Sequence, residues 1–117
     1  MKLRGLTIAV NEVDKMVSFY NGVFASNLQP YAAFGTVLYQ GKLAGLDLTF
    51  CPNELLEIKA DKNRQQLSFW VDDLDAALAR VVACGGTQIQ EIVVTEAGRV
   101  CGVTDPDGNT IELMQPG

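Results

Sequence analysis

The sequence predicts an α+β protein: two βαβββ modules in tandem, forming a curved mixed-sheet cup with helices on the outer face. Three observations carry this prediction. The chain repeats itself, with Leu6-Thr7-Ile8-Ala9-Val10-Asn11-Glu12-Val13-Asp14 echoed by Leu67-Ser68-Phe69-Trp70-Val71-Asp72-Asp73-Leu74-Asp75. A second echo pairs Leu46-Asp47-Leu48 with Ile111-Glu112-Leu113. Each copy also passes from period-two alternation through an acidic turn into helical spacing, as a strand feeding a helix does. Module 1 spans about residues 1–61 and module 2 about 62–117 of a single domain. Two similar halves packed together create a cleft on their pseudo-twofold axis, and that is where a site is expected.

In module 1 the first strand runs from about Leu6 to Val10, with Leu6, Ile8 and Val10 on one face. Asn11 is placed to cap the next helix, and Asp14 sits where a capping box wants an acid. Val13, Met16, Val17, Tyr20 and Phe24 recur at helical spacing, and Asn21-Gly22 weakens the last turn. Strands follow at about Pro30–Phe34, Val37–Leu43 and Leu46–Cys51, with Gly35, Gly41 and Gly45 marking breaks. The charged stretch Pro52–Arg64 is the joint between modules, and Leu55, Leu56 and Ile58 suggest that part of it packs down.

Module 2 repeats the plan. Leu67–Val71 is a strand, Asp72 caps a helix and Asp75 takes the box position. Leu74, Ala77, Leu78, Val81 and Val82 form the apolar stripe, and Gly85-Gly86 ends the helix. Strands are expected at Thr87–Val94, Gly98–Thr104 and Asn109–Met114. Asp105-Pro106-Asp107-Gly108-Asn109 makes a strong turn between the last two.

Composition narrows the functions. The 117 residues suit one compact domain, and 48% hydrophobic residues supply a core. No apolar run reaches membrane-spanning length, and the opening Met-Lys-Leu-Arg enters a strand, so a cytoplasmic protein without membrane partners is expected. A net charge of −5 with scattered cations (Lys59, Lys62 and Arg64 the one local cluster) argues against nucleic-acid binding. Cys51, Cys84 and Cys101 are odd in number and lack CxxC spacing, so free thiols are expected. The chain has no histidine, which removes the commonest general base, the commonest transition-metal ligand and every His-dependent nucleophilic triad.

Alternation assigns faces. With Leu6, Ile8 and Val10 beneath the first helix, Gly5, Thr7 and Ala9 look into the cavity. By the same rule Asp47, Thr49 and Cys51, then Gln66, Ser68 and Trp70, and finally Thr110, Glu112 and Met114 look in. A mixed polar and apolar lining with one large aromatic is what small-molecule pockets present. Phe50 reads as core; Tyr31, Phe34 and Tyr39 line the cavity mouth or pack beneath it.

The segments Leu6–Tyr20, Leu67–Gly86 and Asp105–Leu113 together resemble the vicinal oxygen chelate superfamily of glyoxalase I, ring-cleaving dioxygenases and bleomycin-resistance proteins. The resemblance implies paired βαβββ modules, usually in a homodimer, with the cleft built within one chain or between two. It also implies that four inward positions hold a divalent ion in the metal enzymes, and these fall on Gly5, Asp47, Gln66 and Glu112. Subtraction pairs them across the duplication, 66 − 5 being 61 and 112 − 47 being 65. Where the family carries His or Gln, Glu, His or Gln, and Glu, this chain carries Gly, Asp, Gln and Glu.

Three functional readings compete. In the preferred one the chain is a small-molecule binder of glyoxalase/bleomycin-resistance type without a complete metal site and with no cofactor. It encloses a hydrophobic or aromatic ligand. Trp70 stacks on it, Gln66, Asp47 and Glu112 make polar contacts, and Thr7, Ser68, Thr49 and Met114 line the remainder. The acidic cleft favours a cation. In the second, Asp47, Gln66 and Glu112 hold Mg²⁺, Mn²⁺ or Ca²⁺ rather than Zn²⁺ in a lyase or isomerase of glyoxalase type, with Glu112 the best catalytic candidate. If Asp47 and Glu112 lie close, one carboxyl pKa rises. In the third, the chain is a non-catalytic interaction module. An iron dioxygenase fits least, because such enzymes use two His and a carboxylate.

Overall fold

The computed structural model describes residues 1–59 and 65–117. The expected joint near residue 61, with Lys62 and Arg64, lies outside the described residues. The chain forms two compact units, Met1–Lys59 and Ala60–Gly117, each built on a βαβββ plan.

The first unit runs β1 (Gly5–Val10), α1 (Val13–Phe24), β2 (Gln29–Ala33), β3 (Thr36–Leu43), β4 (Leu46–Pro52) and the short α2 (Asn53–Leu56). The sheet order is β1-β4-β3-β2, with β1 parallel to β4 and the other pairs antiparallel. Met16, Phe19 and Tyr20 of α1 are buried, as are Val10, Leu48 and Phe50 of the sheet. The Tyr20 ring meets Phe50 edge-on at 5.1 Å. Each such side chain, fully buried, contributes about 1.5–3 kcal/mol. Phe50 is core, as expected.

Sequence and structure part at several points here. Glu12, not Asn11, occupies the N-cap of α1, and its side chain makes no capping bond. Asn21 and Gly22 lie within α1, which runs on to Phe24, and Asn21 also acts beyond the helix. Its amide clamps the following connection, accepting from Leu28 N at 2.7 Å and donating to Leu28 O. Gly41 lies within β3, where the Ser26 carbonyl packs against its bare Cα. Phe34 sits exposed in the two-residue turn before Thr36. Leu55, Leu56 and Ile58 are exposed rather than packed down. Asn53 closes that turn by a pair of bonds to the Ile58 backbone, so no apolar burial is needed to hold it.

The second unit runs β5 (Leu67–Trp70), α3 (Leu74–Ala83), β6 (Thr87–Gln88), β7 (Val93–Thr95), β8 (Gly98–Thr104) and β9 (Thr110–Pro116). The order is β5-β9-β8-β6, with β7 also on β8 and β5 parallel to β9. Leu74, Leu78 and Val81 of α3 are buried, with Cys101, Val103, Ile111 and Leu113 of the sheet. Asp73 rather than Asp72 caps α3, accepting from Ala76 N at 3.1 Å. Gln115 Oε1 accepts from Leu74 N, and Asp75 pairs with Arg99 instead of closing a capping box.

The expected strand Thr87–Val94 is broken. Gln88 pairs with Val103 and Val93 with Val100, so the four residues Ile89–Ile92 face only Cys101 and Gly102. This is a bulge that carries two extra residues past the β8 edge. It is tied down by Ile89 N donating to Gly102 O, by the Gln88 amide on Gln90 O, and by Cys101 Sγ on Gln90 O. Burial pushes the Cys101 thiol pKa up, away from the thiolate that reacts. All three cysteines are free thiols. Among the described residues no helix is long and apolar enough to cross a membrane.

Candidate functional site

Residues directly opposite one another on neighbouring strands share a face. In the second unit this rule collects most of the candidates into two adjacent rows. The first is Ser68–Glu112–Gly102, read across β5, β9 and β8. The second is Trp70–Met114–Val100–Val93, which ends on β7. Two residues of strand rise separate the rows, about 7 Å. Leu67 and Phe69 alternate to the opposite face, the side on which Ile111 and Leu113 are buried. The indole consequently stands 70% exposed. Ser68 Oγ donates to Glu112 Oε1 at 2.8 Å and fixes the carboxylate over the sheet. Gln66 is exposed and precedes β5, outside the paired rows.

In the first unit the corresponding rows are Gly5–Asp47–Lys42 and Thr7–Thr49–Gln40. Thr7 and Thr49 therefore share a face with Asp47. Cys51 belongs to the same alternation but is only 4% exposed. Lys42, which the sequence reading missed, forms an ion pair with Asp47 across the strands. The signal was present: Ala44-Gly45 is a two-residue hairpin loop with positive φ at both positions, and such a loop fixes the register at Leu43–Leu46 and Lys42–Asp47.

The Lys42 ammonium, by hydrogen bond and charge, holds the Asp47 carboxyl below its usual range; Arg4 adds a smaller effect in the same direction. A raised pKa, the property wanted of an acid–base carboxyl, is thus not found at Asp47. A depressed carboxylate favours the folded state above its unfolded pKa and loses that contribution as pH falls through the folded value. Lys42→Met is therefore expected to bring the Asp47 titration, followed by carboxyl NMR, back up toward 3.8. An unchanged titration would show that the ion pair does not hold in solution.

The registers also correct the arithmetic of the duplication. Asp47 faces Gly5, but Glu112 faces Ser68, two residues beyond Gln66. Because the shift is even, the alternation of faces is unchanged, while the register counterpart of Gly5 becomes Ser68 rather than Gln66. The first of the four positions does not fit a ligand to a divalent ion. A Cβ on Gly5 would overlap the Asp47 carbonyl oxygen and lie 2.8 Å from Asp47 Cβ, so the first position has neither a ligand nor room for one. Asp47 is engaged by Lys42. Among the described residues no group of three or more His, Cys, Asp or Glu side chains is arranged to hold a metal.

The sequence echo and the βαβββ connectivity of each unit are those of the vicinal oxygen chelate architecture. The chain belongs to the glyoxalase-like domain family, whose model matches residues 5–114. No curated protein matches it by sequence. Solved structures match it in fold. A glyoxalase-related enzyme from Fulvimarina pelagi superposes with a TM-score of 0.79 at 18% identity, over 98% of this chain and 88% of that one. TnmS3, an antibiotic binding protein from Streptomyces sp. CB03234, gives 0.70 at 23% identity, over 100% and 97%. The fosfomycin resistance protein FosX from Listeria monocytogenes, in a complex with Mn(II) and a dihydroxypropylphosphonic acid, gives 0.72 at 18% identity, over 97% and 88%.

Proposed function

We propose that the chain binds a small molecule, without a metal, on the open face of its second sheet. The ligand class is a planar aromatic compound bearing a positive charge. The observation that carries this reading is the juxtaposition of the two rows: an exposed indole next to Met114, with Val100 beyond it, beside a carboxylate fixed by Ser68. An aromatic body on the apolar row places a cationic group about 7 Å away, over Glu112. Stacking on an indole and attraction of a cation to its face each contribute about 0.5–2 kcal/mol. The antibiotic-binding function of TnmS3 is a precedent for binding on this fold.

Trp70 is the sole tryptophan, so its emission reports the event directly. A library of aromatic cations and their neutral isosteres is expected to yield ligands that shift or quench it, the cations binding more tightly. Trp70→Ala is expected to weaken the best ligand about tenfold by calorimetry. Silence across the library would remove the reading. The competing reading is a divalent-metal lyase or isomerase of glyoxalase type using Asp47, Gln66 and Glu112. Protein purified without chelator decides it: a stoichiometric ion that Glu112→Ala abolishes would replace binding by metal catalysis.

A further inference from the structure

We infer that Ile89 sets the size of the group admitted over Glu112, so that the cationic centre of the ligand carries only small substituents. The inference rests on the binding reading above and deepens it. Gly102 is the residue opposite Glu112 on β8, and it has no side chain to place on that face. A Cβ built on Gly102 would lie 3.2 Å from Ile89 Cδ1 and 3.3 Å from Ile89 Cγ1. The Ile89 side chain therefore covers Gly102 on the same face as Glu112.

Ile89 arrives there by continuing the β6–β8 register: Thr87 pairs with Thr104 and Gln88 with Val103, so Ile89 falls opposite Gly102, and the slip of two residues comes after it. The placement is rigid. Ile89 N donates to Gly102 O at 3.1 Å, and the next residue is held through its carbonyl by the Gln88 amide and Cys101 Sγ. Yet Ile89 remains 49% exposed, so its position is not explained by burial in the core. Glu112 thus has Ser68 on one side, holding it, and a branched apolar wall on the other. A methylated aromatic nitrogen passes beneath that wall to the carboxylate. A branched N-substituent meets the Ile89 methyls and is kept from charge contact.

The test uses N-methylquinolinium and N-neopentylquinolinium, titrated calorimetrically into the intact chain and into Ile89→Ala and Ile89→Val. Wild type is expected to prefer the methyl cation about tenfold, and Ile89→Ala to narrow this to about threefold through tighter binding of the neopentyl cation. Ile89→Val, the smaller truncation, is expected to fall between, with unfolding midpoints recorded for all three proteins. If wild type binds neither cation, the binding reading and this inference both fall. If wild type binds both equally, or Ile89→Ala weakens both in parallel, binding on this face stands and the assignment of Ile89 is overturned.

Discussion

Asp105→Ala is expected to destabilise the protein by about 3 kcal/mol, because it removes a buried acceptor that organises the β8–β9 turn. Asp105 is 2% exposed. Its Oδ1 accepts from Asp107 N at 3.0 Å and from Asn109 N at 2.9 Å, and its Oδ2 accepts from Asn109 Nδ2 at 2.8 Å. Truncation leaves three donors without this partner, two of them backbone amides in the turn. Hydrogen bonds to a charged acceptor each contribute about 1.5–3 kcal/mol, part of which water recovers at a surface turn. Asp105→Asn retains one acceptor oxygen and turns an amide N–H₂ toward Asn109 Nδ2, so an intermediate loss is expected. Urea unfolding measures both. A shifted midpoint with an unchanged slope is expected; an unfolding free energy within about 0.5 kcal/mol of wild type would mean that proline and glycine set the turn without Asp105.

The turn illustrates what the sequence makes legible. Asp105-Pro106-Asp107-Gly108-Asn109 announces a reversal by composition, but that its first residue is the buried hub follows only from the side-chain geometry. The same division holds for the site. Strict alternation placed Trp70, Glu112, Ser68 and Met114 on one face of the second sheet, because period two is a property of the strand itself. Register is different, since it depends on which residues the loops bring opposite one another. Hence subtraction matched Gln66 to Gly5 as its counterpart, whereas the registers Gly5–Asp47 and Ser68–Glu112 give that place to Ser68. The hairpin Ala44-Gly45 would have predicted the Lys42–Asp47 pair, and with it a depressed rather than a raised Asp47. The bulge at Ile89–Ile92 had no such signal. Val, Ile and Thr on either side read as one continuous strand, and only the partner strand shows that two residues are surplus.

Restoring a side chain at Gly5 is expected to cost about 1–3 kcal/mol without creating a metal site. The resemblance to the metal enzymes of the superfamily implies a ligand position at Gly5, so Gly5→His is the obvious attempt to recover one. In this chain β1 approaches β4 too closely for it. The new Cβ would overlap the Asp47 carbonyl oxygen, with Asp47 Cβ at 2.8 Å and the Asp47 carbonyl carbon at 2.9 Å. The obstacle is mostly backbone, so no rotamer of Asp47 relieves it; the first rung of the parallel pair has to open. Gly5→Ala isolates this effect, and its sign is diagnostic. Where space allows, replacing glycine by alanine stabilises by about 0.4–1 kcal/mol through the unfolded chain. Here both variants are expected to lower the unfolding midpoint, and Mn²⁺ added to Gly5→His is expected to give no stoichiometric heat. A neutral Gly5→Ala together with one bound Mn²⁺ in Gly5→His would show that the strand pair relaxes readily. The loss of the ligand would then be a matter of side-chain identity alone, and the metal-dependent reading would regain its footing.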